Sequence, residues 1–360
     1  MRTFYLLLIP ALLLGACTKK TEAPEPLPPA SGMYFPPTTG SDWETTAPAS
    51  LGWNTTALNE LYTYLESKGT KGFIIARNGR LVTERYFGSF GTESTWYWAS
   101  AGKTLTAALV GIAQGEGKLR LSDKTGQYLG TGWTSLPAAK EDAITVRHQL
   151  TMTTGLDDGG DADCTEPTCL TYKGDAGTRW AYHNAPYTLL EKVVERATSA
   201  SYNAYFAQKI RDRIGMNGTW IKTGYNNVYY SNVRSAARFG ILLLNKGVWN
   251  GMTILPDAAY VDAQVNSTQT LNPSYGYLTW LNGKSSYMLP TVQASFSGML
   301  VPNAPPDLYA ALGKNDQKIY VVPSLGLVVV RMGEAAGNSH LALSSFDNEL
   351  WGKLKGVIGY

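Results

Sequence analysis

The sequence predicts an α+β fold: an antiparallel sheet built from N- and C-terminal segments, flanked by helices, with a mainly helical region inserted between them. Three observations predict it. Strand-like runs stand near both ends, as "GFIIARNGRLVTERYF" at 72–87 and as "DLYAALG" and "KIYVVPSLGLVVVRMG" between 307 and 333. In the first, Asn78-Gly79 divides two β-rich runs, the strongest short hairpin signal because both turn positions need positive φ. Between the two ends, "TLTAALVGIAQGEG", "APYTLLEKVVERAT", "YNAYFAQKIRDRIG" and "SAARFGILLLNKG" carry helical periodicity and are joined by Gly/Asp/Asn loops.

Taken in order, "MRTFYLLLIPALLLGAC" opens the chain with Arg2, an apolar run to Leu14 and then Gly15-Ala16-Cys17. The run is too short to span a membrane as a helix. It resembles a bacterial lipoprotein signal over 1–16, in which Cys17 is lipidated and becomes the new N-terminus. A cleaved secretory signal with an incidental cysteine is the alternative. Either reading takes the mature protein out of the cytoplasm, and the first places it in the cell envelope on a membrane anchor. The proline-dense stretch from 17 to 45 reads as an extended tether, since it offers no apolar face to bury. A single domain is then expected over 46–360, its sheet part at about 46–95 and 290–360 and its helical part at about 100–285. "TALNELYTYLESKG" (56–69) and "SSFDNELWGKLKGVIG" (344–359) supply the terminal helices.

With 44% hydrophobic and 16% charged residues in 360, the chain is an ordinary globule. A formal charge of +3 and no basic face with interleaved aromatics argue against a nucleic-acid partner. Besides Cys17, only Cys164 and Cys169 remain, in "DADCTEPTCLTY". In an oxidising compartment a short-loop disulfide is the expected state. No histidine has ligand spacing to them, so no metal site is expected.

The chemistry concentrates in "WYWASAGKTLTAALV" (96–110). Its "GKT" looks like the tail of a phosphate loop, but the first glycine of that motif would fall at Tyr97, which cannot form the tight turn. The other pattern is Ser100-x-x-Lys103. One helical turn apart, a serine and a lysine face the same way, and a serine at a helix N-terminus meets amide dipoles that favour negative charge. Downstream, Tyr182-His183-Asn184 stands on a loop before a helix opened by Pro186. A tyrosine held by lysines can ionise below its usual value and act as general base, and Asn184 can orient Lys103 and an acyl amide. There is no G-x-S-x-G and no H-E-x-x-H. His148 reads as a capping residue, His183 as the variable middle of the tyrosine motif, and nothing recruits His340.

In that combination and order, with "RHQLTMTTGLDDG" between them, the motifs resemble the serine β-lactamase-related hydrolases. That group includes class C β-lactamases, penicillin-recognising peptidases, family VIII carboxylesterases and 6-aminohexanoate-dimer hydrolase. "ARFGILLLNKGVWNG", "SYGYLTWLNG" and "KIYVVPSLGLVVV" are similar to the same group. The resemblance covers roughly 50–355 and implies a sheet-plus-helical-domain fold without a cofactor. It also implies a third element, a Lys/His-Thr/Ser-Gly-like strand facing the nucleophile. Lys124-Thr125-Gly126 and Lys222-Thr223-Gly224 match literally but sit in loop contexts of the helical middle and are read as coincidences. The fitting position is Lys314-Asn315-Asp316, with the Gln317 amide joining that of Ser100 as the oxyanion hole and Lys314 orienting the acyl group. Asp316 departs from the family glycine and weighs against penicillin-type substrates.

The expectation is a serine hydrolase of small ester or amide substrates, using Ser100, Lys103 and Tyr182. A DD-peptidase or β-lactamase is the alternative, and an inactive penicillin-binding-like sensor the alternative of another class. Trp96, Tyr97 and Trp98 are candidates for the cleft wall.

Overall fold

The computed structural model describes Met1, residues 32–339 and residues 341–360. Cys17 and the signal-like segment lie outside the described residues, as does His340. Among the described residues no helix is long and apolar enough to cross a membrane.

The main sheet joins both ends of the chain, as expected. β1 (Thr70–Arg77) and β2 (Arg80–Tyr86) form the hairpin, with Asn78 and Gly79 at φ 47° and 82°. At the other end come β11 (Tyr309–Gly313), β12 (Gln317–Val322) and β13 (Leu327–Gly333). The order is β2-β1-β13-β12-β11-β8, where β8 is Trp280–Leu281, and every neighbouring pair is antiparallel. The pairing of β1 with β13 runs from Thr70 opposite Gly333 to Arg77 opposite Leu327. β12 and β13 are buried along their whole lengths, the continuous apolar pattern of a sheet covered on both faces.

Helices α1 (Thr55–Ser67) and α11 (Ser345–Ile358) pack together on this sheet, and α9 (Val233–Leu244) packs on β1, β12 and β13. Each has a side-chain cap: Asn54 on the Ala57 amide, Asn232 on that of Ser235 and Ser344 on that of Phe346. α2 (Gly102–Gly115) is buried from Gly102 to Ala113 and forms the centre of the molecule. Around it stand short helices: α3 (Gly126–Leu129), α4 (Ala138–Glu141), α5 (Val146–Leu150), α6 (Asn184–Thr188), α7 (Leu190–Thr198), α8 (Tyr202–Phe206) and α10 (Ala258–Gln264). His148 caps α5 as expected, its Nδ1 accepting from the Thr145 amide at 3.1 Å.

The middle, expected to be mainly helical, also carries small strands: β3 (Trp96–Tyr97), β4 (Thr219–Thr223) and β5 (Asn226–Ser231) form a sheet in the order β3-β5-β4, with hairpins β6–β7 (Val248–Trp249, Met252–Thr253) and β9–β10 (Ser286–Met288, Ser295–Ser297) beyond it. One expectation needs correction: the described part of the expected tether is not free. From Tyr34 to Trp43 the chain lies against the domain. The Tyr34 amide donates to Asn78 O, Trp43 Nε1 donates to Gly79 O, and Arg238 donates to the carbonyls of Pro36 and Pro37. Trp43 supplies the apolar surface that the proline count had hidden; it is buried in the main core.

Candidate active site

Ser100 sits in a single 3₁₀ turn, Ala99–Ala101, that runs directly into α2. Ala99 holds φ 47°, a left-handed conformation unusual for a residue with a Cβ, so the turn carries strain where the serine is presented. Trp98 anchors the turn from below: it is buried, donates Nε1 to Ser231 Oγ at 2.7 Å, and its ring meets Tyr229 edge-on. On the opposite side Gly313, the last residue of β11, touches the turn so closely that a Cβ there would lie 2.3 Å from Trp98 O and 3.0 Å from Ala101 N. A glycine is required for that approach.

Lys103 is one turn further on, and its Nζ lies 3.0 Å from Ser100 Oγ. The amine is 3% exposed and sits over the rings of Tyr187 at 4.2 Å and Tyr182 at 5.0 Å. Burial lowers its pKa to about 7, opposed by the negative charge of Asp163. At neutral pH a substantial fraction is therefore unprotonated and able to take the serine proton.

Tyr182 stacks on Trp280 with ring centres 5.8 Å apart and meets Tyr275 edge-on. Its buried hydroxyl has no hydrogen-bond partner of ordinary geometry. Burial holds its pKa well above the usual phenol value, outweighing the proximity of Ser100. This differs from the expectation of a readily ionised tyrosine: burial brings Lys103 near neutrality and moves Tyr182 away from it.

A cavity of about 410 Å³ opens over this pair. Ser100, Lys103, Asn184 and Lys314 line it together, so four of the six expected residues meet in one place. Asn184, the first residue of α6, donates from Nδ2 to Asp163 Oδ1 at 2.6 Å and keeps Oδ1 buried without a partner. Tyr182 packs beside the cavity without lining it.

Gln317 is elsewhere. Its side chain turns inward, donating to Asn315 O and Gly333 O while accepting from the Gly333 amide. The correction is one of register: Gly313 opposes Gln317 across the β11–β12 hairpin, so the strand end beside Ser100 is Gly313-Lys314 and Gln317 lies one strand away. Asp316 also points away from the cavity. Its buried carboxylate accepts from Ser344 Oγ at 2.6 Å and the Ala336 amide at 2.9 Å, and pairs with Lys318 at 3.2 Å. It adopts φ 58°, the conformation a glycine would favour.

Of the aromatic run, Tyr97 reaches the cavity, accepting from Asn315 Nδ2 at 2.8 Å, whereas Trp98 is core and Trp96 donates to Gly333 O. His183 is buried, and burial lowers its pKa to about 4; it does not line the cavity. Lys222-Thr223-Gly224 lies at the β4–β5 turn, where Thr223, Asn226 and Asn227 form a wall the sequence reading missed. Asp163 was missed as well. It precedes Cys164, which forms a disulfide with Cys169, Cα atoms 6.0 Å apart. Among the described residues no group of three or more His, Cys, Asp or Glu could hold a metal ion.

A strained serine turn leads into a buried helix of a sheet-and-helix domain, with a lysine one turn on and a sheet strand facing it. The chain belongs to the Beta-lactamase family, whose model matches residues 65–343. Solved structures of the same fold include a proposed 6-aminohexanoate-dimer hydrolase from Bacillus anthracis, 20% identical, TM-score 0.66, covering 86% of each chain. Another is a proposed β-lactamase from Bacteroides dorei, 16% identical, TM-score 0.67, covering 86% of this chain and 100% of that one. A penicillin-binding protein homologue from Caulobacter crescentus is 13% identical, TM-score 0.64, with coverage of 87% and 99%. An uncharacterized protein of Alkalihalophilus pseudofirmus is 24% identical over 77% of this chain and 88% of its own length.

Proposed function

We propose that the protein is a serine hydrolase acting through an acyl-enzyme on an ester or amide bond of a small substrate. The observation that carries this is the 3.0 Å contact of Ser100 Oγ with a buried Lys103 amine at the floor of an open cavity. Lys103 takes the Ser100 proton as Oγ bonds to the substrate carbonyl carbon. Lys103 then gives that proton to the leaving alcohol or amine as its bond to carbon breaks, while the Tyr182 hydroxyl stays protonated beside the pair. Water then attacks the acyl carbon by the reverse route and releases the acid. No cofactor enters these steps.

For the oxyanion we assign the backbone amides of Ser100 and Lys314 in place of Gln317, because Gly313 brings that strand end against the serine turn. Asn184, with its unpartnered Oδ1, orients the acyl group. Amide- and hydroxyl-bearing walls from Thr223, Asn226 and Asn227 favour linear polar esters and amides. The inward turn of Asp316 leaves Lys314 and Asn315 as the hairpin-tip residues that face substrate. Cys17, if lipidated, would hold the domain at a bacterial membrane in the cell envelope; Cys17→Ser would then release the protein from membranes on fractionation.

The test is labelling with a fluorophosphonate, with Ser100→Ala as control. Labelling of the wild type alone supports the reading. Absence of labelling, together with absence of turnover of a para-nitrophenyl ester series, refutes it. Capture of a fluorescent penicillin instead would move the substrate to the β-lactam side.

A further inference from the structure

Behind the polar wall of the cavity lies a carboxyl group that no step above uses. Glu191 is the second residue of α7, and its side chain reaches the β4–β5 hairpin, where Asn227 donates a hydrogen bond to it. Its Oε1 is buried and has no partner. One turn earlier, the Thr188 hydroxyl at the end of α6 donates to Asn226 Oδ1 at 3.4 Å. Asn226 and Asn227 both line the cavity, so the wall is tied to α6 and α7 at these two points.

The ionisable groups around Glu191 are Tyr187 of α6, Tyr202 of α8, Lys222 of β4, and Lys192 and Glu195 of α7 itself. Burial keeps both tyrosines protonated. On α2, Lys103 lies over the Tyr187 ring, and on α3 the Tyr128 hydroxyl donates to Asp123. Lys222 is therefore the cation that faces Glu191 from across the wall, and its exposed amine donates to Tyr225 O at 2.6 Å. Burial raises the Glu191 carboxyl to about 7, against the pull of Lys222 and Asn227. A neutral carboxyl suits the site, whereas a carboxylate leaves the buried Oε1 without a donor. Lys222 can supply one, and because it immediately precedes Thr223, its movement toward α7 withdraws Thr223 from the cavity.

The geometry points to Glu191 as a positioning residue that holds the Thr223–Asn227 wall against the cavity while neutral and, on ionising, draws Lys222 and that wall back toward α7. Its consequence for substrate binding rests on the serine-hydrolase reading; the movement of the wall does not.

Deuterium exchange of the backbone amides of 219–231, corrected for intrinsic rates and referred to β12, follows the wall without any turnover. In the wild type, protection of this segment should fall roughly tenfold between about pH 6 and pH 8.5, and in Glu191→Gln it should stay level. Lys222→Met, which removes the recruited cation, should move the wild-type step to higher pH. The KM of a para-nitrophenyl ester should rise roughly threefold or more over the same range in the wild type and stay level in Glu191→Gln, while kcat follows Lys103 in both. A level wild-type exchange profile, or a step that persists in Glu191→Gln, overturns the inference. So does a loss of protection in Glu191→Gln that is equal at both pH values, the mark of a residue that only packs. The exchange step without labelling or turnover would remove the hydrolase reading and leave the latch.

Discussion

Lys103 joins two opposite demands in one side chain. Its enclosure by Tyr182 and Tyr187 removes it from water, and that same desolvation lowers its pKa from 10.5 to about 7. For activity the sign is direct: the reactive form is the neutral amine, so kcat/KM should climb as pH rises through about 7 and fall away below it. A pH profile with a para-nitrophenyl ester checks this, and a limb near 10 would show that Lys103 is not the base. For stability the sign is unfavourable. The unfolded chain binds the Lys103 proton up to its ordinary pKa while the folded one gives it up near 7. The group therefore costs stability below about pH 10, with the full cost reached below 7. Lys103→Met should raise the thermal midpoint by several degrees while abolishing fluorophosphonate labelling, as scanning calorimetry beside the labelling assay would report. Ser100, Lys103, Tyr182 and Asn184 were legible in the sequence because each pair lies within one turn of local structure. Asp163 was not, since a loop residue reaches the cavity only through the contact of Ala162 with α6.

At the scale of elements, the β11–β12 hairpin is the part that sets the cavity's geometry. Its tip places Asn315 and Asp316 at φ 57° and 58°, and Arg331 of β13 donates to both of their carbonyls at 3.1 Å. Lys318, Asp316 and Asp347 form a buried charged chain beneath it, joined by Tyr320 on Asp347 Oδ1. Removing one partner from such a chain strands the others. Asp316→Asn should lower unfolding stability by on the order of 3 kcal/mol in urea titration. Gly313→Ala acts differently, forcing a methyl against Trp98 O. It should cost about 1–3 kcal/mol and reduce kcat/KM at least tenfold, because the strand must retreat from Ser100. The strands themselves were readable from their apolar runs, but the residue at the oxyanion position was not. Which amide of Gly313-Lys314-Asn315-Asp316-Gln317 faces the serine depends on hairpin register, which composition does not encode. β3, β4 and β5 were missed for a related reason: short half-exposed strands such as "TWIKT" carry little apolar alternation.

The whole molecule follows the architecture that strand-like ends and a helix-rich middle imply, and its N-terminal boundary moved forward because Trp43 and Arg238 bind a segment whose prolines suggested a leash. The sheet contains a further consequence, for the order in which the protein comes into being. β1 pairs with β13, so Thr70 meets Gly333 across more than two-thirds of the chain. Closing so long a loop precedes the contacts that reward it, which makes assembly slow and dependent on the last strands to leave the ribosome. Ser100, Lys103, Tyr182 and Asn184 are all synthesised before Gly313 and Lys314, which complete the site. In refolding from urea, capacity for fluorophosphonate labelling should therefore appear with the slowest phase of tryptophan fluorescence, not with early helix formation followed by circular dichroism. On the proposed hydrolase reading, a nascent chain carries Ser100 without the means to use it, and becomes reactive only once its two ends have met.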